Sequence, residues 1–160
     1  MKGALILCGM VLGAAWAVAL ILVPLRMDLP FIPPALALPA AFLLPGVVMG
    51  LMIARLAARR FFDAGLIDGP PPERGSGAQI DQAVLTNTVE QMVLVLLVWP
   101  FIGFNLGGVT LVALGAGMAI ARMLFWVGAH LSPPLRALGF AASFYPTLFG
   151  GFWAVWIWIN

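Results

Sequence analysis

Two ionisable residues fall inside long apolar runs, Glu90 and Arg122. Each costs about 2.5–3.5 kcal/mol at the centre of a bilayer on insertion scales, so charges in such places mark pathways, relays or paired sites. Their depths match. Glu90 follows the polar start of its run by about ten residues and Arg122 precedes the end of its run by about nine, which is roughly 15 Å and 13 Å at helical rise. A short turn joins the two runs. The charges therefore lie at one depth on antiparallel neighbours and can pair, within a chain or between subunits. Glu90 also ends a polar stripe. Gln79, Gln82, Thr86, Asn87 and Glu90 recur at i, i+3/i+4 spacing, which puts them on one face of a helix. Such a face lines a water-filled or ligand-filled cleft, or meets another polar helix. The competing reading is a structural ion pair that holds a bundle together.

Other residue types offer less. His130 stands beside Pro133 at the end of its run and reads as a headgroup contact. Cys8, alone on an apolar stretch, reads as packing. Tyr145, before Pro146, is expected to hydrogen-bond a neighbour. The sequence has no Ser/His/Asp set, phosphate-binding loop or carboxylate dyad. One Cys and one His exclude a disulfide framework and a Cys/His zinc cluster, so no metal site is expected.

The elements that must position Glu90 and Arg122 follow from composition. Of 160 residues, 63 % are apolar and 9 % charged, with a mean hydropathy of +1.09. Soluble domains carry about 45–50 % apolar and about 25 % charged residues. This composition excludes a soluble globule, and disorder needs low hydrophobicity. The pI of about 9.3 reflects 8 basic against 6 acidic side chains, with no basic run to hold nucleic acid. An all-α integral membrane protein remains, since about 20 apolar residues span a bilayer core.

Five spans are readable: Gly3–Leu25, Ala35 to about Ala58, Gln79–Gly103, Leu106–Leu131 and Arg136–Ile159. The first is longer than a signal-peptide core of about 7–15 residues and reads as a retained helix. The second contains Pro39 and Pro45, tolerated in membrane helices, and closes on Arg55, Arg59 and Arg60. Phe61 to Ala78, with its Gly-Pro-Pro-Pro and Gly-Ser-Gly stretches, reads as the one real loop. Phe104-Asn105 reads as a tight turn, and Ser132-Pro133-Pro134 as a break. Trp153, Trp156 and Trp158 form an interfacial aromatic belt. With a cytoplasmic N-terminus, that side holds Lys2, Arg55, Arg59, Arg60, Arg74 and Arg136, and the other only Arg26. The bias orients the N-terminus in and the C-terminus out. Gly9/Gly13 and Gly46/Gly50 have the spacing that lets helix backbones approach closely.

These residues resemble the MAPEG family, the membrane-associated proteins of eicosanoid and glutathione metabolism. The likeness covers about Ala35 to Asn160. It rests on the Arg-rich end of the second run, the loop, and Asn87-Thr88-Val89-Glu90-Gln91 in the next helix. Arg122, the proline turn and Arg136 complete it. Arg60-Phe61-Phe62-Asp63 and Leu66-Ile67-Asp68-Gly69 are similar to a bacterial branch. The resemblance implies a four-helix bundle, here residues 35–160, with an extra N-terminal transmembrane helix and turn over 1–34. It implies homotrimers that bind glutathione between subunits near the cytoplasmic surface. Asn87, Glu90, Arg122 and an Arg near Arg55 are then the glutathione ligands. Arg136 stabilises the thiolate, which a guanidinium favours by lowering a thiol pKa from about 8.5. The sequence departs from the family at Thr86, where a basic residue is usual, and at Phe125, Ala129 and Phe140, where tyrosines are common.

Three functions follow as alternatives. The first is a glutathione-dependent transferase or peroxidase acting on lipophilic electrophiles in what reads as a bacterial inner membrane. The second is a non-catalytic MAPEG-like membrane protein, and the third a small transporter or accessory subunit. Membrane lipid is a partner in each.

Overall fold

The computed structural model describes residues 2–63 and 72–160. They form five helices and, among the described residues, no strand: α1 (Lys2–Arg26), α2 (Pro34–Phe62), α3 (Gly77–Leu106), α4 (Gly108–Leu131) and α5 (Pro133–Ile159). All five are long and apolar enough to cross a membrane. This is the all-α membrane architecture expected, and only the boundaries move. The Leu66–Gly69 stretch and most of the proline run, Gly69 to Pro71, lie outside the described residues.

Local chemistry explains the shifts. α2 continues through Arg59 and Arg60 to Phe62, with both cations in its last turn, where they complement the helix dipole. α3 begins inside the expected loop because Ser76 caps it. The Ser76 hydroxyl accepts from the Gln79 amide at 3.1 Å, and the Gln79 side chain accepts from the Gly75 amide at 2.6 Å. Phe104-Asn105 is not the turn: α3 runs through Pro100 to Leu106, and Gly107 alone makes the reversal into α4. Its φ of 86° lies in the left-handed region that glycine adopts without strain. α5 starts at Pro133 rather than Arg136, since a proline at the first helical position forfeits no hydrogen bond.

α4 is the centre of the bundle and packs on each of the other four helices. Its glycines set the closeness. A Cβ added at Gly115 would run into the Ala41 backbone of α2, and one at Gly128 into the Arg136 backbone of α5. The core gathers Trp99, Ile102, Leu111, Leu114 and Met118. Trp99 stacks on Phe42 at 5.6 Å and donates its indole N–H to the Thr147 hydroxyl at 3.1 Å.

α1 lies along α5 and α4. Gly9 faces Pro134 and Leu138, and Gly13 faces Ala141, so α1 and α5 run parallel. That glycine pair packs as its spacing suggests. The other pair does not: Gly46 and Gly50 meet nothing in the chain within 4 Å of an added Cβ. Cys8 is exposed rather than packed, because the α1 seam is centred on Gly9, Gly13 and Ala17. Tyr145 stacks on Phe149 at 5.5 Å and, among the described residues, makes no hydrogen bond. Trp156 and Trp158 are outward-facing at 64 % and 70 % exposure, as a belt requires.

Candidate functional site

Arg122 is fully buried on α4. One Nη donates to the Asn87 Oδ1 at 3.1 Å and the Ser143 hydroxyl at 3.4 Å; the other donates to the Thr88 hydroxyl at 2.6 Å. Thr88 in turn donates back along its helix to the Val84 carbonyl at 2.7 Å. The guanidinium also lies over the Phe125 ring, 4.2 Å from its centroid. Three neutral oxygens and an aromatic face thus disperse a charge that hydrocarbon cannot solvate.

The expected Glu90–Arg122 ion pair does not form within the chain. Asn87 stands between them: its carbonyl faces Arg122 and its amide N–H donates to the Glu90 carboxylate at 3.4 Å. Glu90 is exposed on the outer face of α3, while Arg122 points into the bundle. The amide dipole is aligned with both charges, so the relay replaces a contact that the helix faces do not allow.

A second cluster was not apparent from the sequence. Asp81, 3 % exposed on α3, accepts from four donors on two other helices. Arg55 Nε approaches at 3.0 Å, Arg59 Nε at 2.6 Å, Trp126 Nε1 at 2.9 Å and His130 Nε2 at 2.7 Å. His130 is therefore a carboxylate partner rather than a headgroup contact. The Arg55 guanidinium also lies 5.6 Å from the Trp126 ring centre. Arg59 rests against Gly77, where a Cβ would meet its guanidinium. The signal was present in the spacing: Arg55/Arg59 and Trp126/His130 are both i, i+4 pairs at the ends of helices that meet the start of α3.

Of the five expected site residues, Asn87, Glu90 and Arg122 come together. Arg55 belongs to the Asp81 cluster, which helical periodicity puts on a different face of α3 from the polar stripe. Arg136 is exposed, and its guanidinium makes no hydrogen bond or ion pair among the described residues. It lines a cavity of about 210 Å³ with Gln79, Ala83, Val84, Phe125 and Ala129. Phe125 links the two regions, since Arg122 lies over its ring and the same residue lines the cavity.

Five long apolar helices around a buried guanidinium define a polytopic α-helical membrane protein with a polar site inside its span. The chain matches the MAPEG family over residues 32–156 and belongs to that family. The family includes glutathione-dependent transferases and peroxidases as well as non-catalytic members. α1 precedes the matched region. No curated protein and no solved structure is similar enough to be matched to the chain.

Proposed function

We propose that this protein is a glutathione-dependent transferase or peroxidase acting on lipophilic electrophiles, assembled as a homotrimer. The observation that carries the reading is an exposed polar face within a membrane span. Gln79, Thr86 and Glu90 point away from their own bundle, and Asn87 is only half-buried beside them. Glu90 is 13 residues into α3, about 20 Å along the helix. An ionised side chain facing lipid there is costly, so a second subunit or a polar ligand is expected to cover it. Gly46 and Gly50 supply a bare helix face suited to such a contact.

Glutathione carries an ammonium and two carboxylates. Glu90 suits the ammonium, and Asn87 an amide or carboxylate. Arg122 is fully enclosed, so it acts by holding Asn87 in place. Arg55 is directed away from Asn87 in its own chain and would serve a tripeptide bound at an adjacent copy. The unengaged Arg136 guanidinium is the group available to stabilise the thiolate. The thiol proton passes to water, and the sulfur pair forms a bond to the electrophilic carbon. The leaving group departs with the electrons of its own bond. With a hydroperoxide, the thiolate takes the terminal oxygen, the O–O bond breaks and an alcohol leaves. A second glutathione then yields the disulfide and water.

The second reading is a non-catalytic MAPEG protein. It is favoured by Arg122, both of whose Nη groups are engaged by the chain's own side chains, and by Phe125 and Ala129 where a hydroxyl would assist a thiolate. Calorimetry with glutathione on detergent-purified protein separates the two. Binding that weakens in Glu90→Ala, with turnover lost first in Arg136→Ala, supports the enzyme. No binding and no turnover in the wild type leaves the structural reading.

We further assign residues 1–34 as an added helix and turn before a four-helix unit at 35–160, in a bacterial inner membrane with the N-terminus cytoplasmic. The antiparallel bundle supports this orientation, because Arg55, Arg59 and Arg136 share one end and Arg26 lies at the other. In a Cys8→Ser background, Ser76→Cys is expected to label only from the cytoplasmic face. Labelling from the other face inverts the topology.

A further inference from the structure

Phe125 and Arg136 each line two cavities. One is the cavity beside the polar stripe. The other, about 250 Å³, lies between α1 and the start of α5. Ile6 and Met10 of α1, Phe125 of α4, and Arg136, Ala137 and Phe140 of α5 form its walls. Apart from Arg136 this lining is apolar. Phe125 and Phe140 are tilted against each other at 6.4 Å. Ile6 and Met10 flank the Gly9–Gly13 seam by which α1 grips α5, so the wall they form is held at backbone distance. Met10 is 40 % exposed at the rim, which leaves the cavity open toward the bilayer.

We infer that this second cavity is the acceptor site. It takes a lipophilic electrophile of one or two aromatic rings with its reactive end at Arg136, and α1 sets the size it accepts. The inference rests on the transferase reading above and adds to it a site built within one chain by a helix outside the region matched to the family. Three features select this occupant. An apolar cavity of about 150 Å³ takes one benzene ring, so about 250 Å³ accommodates a substituted ring or a fused pair. The aromatic walls and the polarisable Met10 thioether favour aromatic ligands. Arg136, the only cation among the described lining residues, lines both this cavity and the polar one, so sulfur and carbon would meet at the guanidinium. There the sulfur–carbon bond forms, and the leaving group departs with its electron pair toward Arg136.

On the opposite flank of α1 lies a cavity of about 200 Å³ lined by Leu12, Trp16, Ile120, Leu124 and Leu138, with no cation. It supplies the control. Full-length protein in nanodiscs would be tested with a dinitrohalobenzene and a two-ring halonitroarene. Met10→Trp is expected to raise KM for the two-ring substrate about ten-fold, the scale of small size changes in apolar pockets, with glutathione affinity unchanged. Met10→Ala should lower that KM, and Leu12→Trp should leave it as it is. Equal KM values in Met10→Trp and Leu12→Trp overturn the assignment. A lipophilic aryl diazirine gives a readout independent of turnover. It should label Ile6–Met10, and the two-ring compound should displace it. Turnover without displacement shows the site wrong and the transferase reading intact. Displacement without glutathione binding shows the reverse, a lipophilic site in a protein that is not a transferase.

Discussion

Replacing Asp81 is expected to cost several times more stability than replacing either arginine that binds it. The carboxylate side chain is 2 % exposed, whereas Arg55 and Arg59 are 48 % and 34 % exposed and His130 25 %. Deleting one arginine removes a partly solvated pair, worth about 0–1 kcal/mol, and leaves Asp81 with three donors. Asp81→Asn removes the charge from all four. The amide keeps the shape but turns an N–H toward donors, and the Arg55 and Arg59 guanidinium groups, both on α2, lose the anion they share. Breaking a buried pair by removing one partner costs about 3–5 kcal/mol. We expect about 3 kcal/mol here, since the arginines can recover water. For a chain of this size that is about 6–12 °C in Tm. Tryptophan fluorescence during thermal unfolding in detergent reads it, and Trp126, a direct partner of Asp81, reports the local change. Equal losses for Asp81→Asn and Arg55→Ala, or a loss below about 1 kcal/mol for Asp81→Asn, would refute the reasoning.

Asn87 is expected to couple to Arg122 in a double-mutant cycle by about 1 kcal/mol or more, and Glu90 to couple to Arg122 by less than about 0.5 kcal/mol; the reverse order would restore a direct ion pair. Gly139→Ala drives a methyl into the Phe125 backbone and should destabilise the fold by about 1–3 kcal/mol, measured by thermal unfolding. Gly50→Leu should leave helicity and Tm of the isolated chain intact while lowering the mass in light scattering from about three chains toward one. An unchanged mass would remove α2 from the subunit interface. Trp99→Phe, which loses the Thr147 bond, should cost about 0.5–2 kcal/mol.

All five spans were legible because hydropathy reports what lipid requires. Their ends were less so. Ser76 and Gln79 form a readable capping pair, yet the surrounding glycines and prolines suggested a longer loop. Gly107 was hidden by its polar neighbour Asn105, which instead back-bonds to the Phe101 carbonyl at 2.8 Å. The shared depth of Arg122 and the Asn87–Glu90 turn of α3 was readable from the sequence, but the Asn87–Arg122 bond was not. Within the chain Glu90 does not reach Arg122, because depth fixes height along a helix but not the direction a side chain leaves it. Asp81 escaped notice for a related reason. It lies among the stripe residues in sequence, and only the positions of Arg55, Trp126 and His130 on two other helices give it a role.

The parallel seating of α1 on α5 also has a consequence for how the protein is made. α1 leaves the ribosome well before α5, yet Gly9 and Gly13 rest on Leu138 and Ala141 of that later helix. At about 5–20 residues per second, the roughly 130 residues between them take about 6–26 s to synthesise. For that interval the Gly9–Gly13 face of α1 lacks its α5 partner. α1 therefore completes its packing only once α5 is made, and a chain arrested before α5 leaves α1 without its main partner.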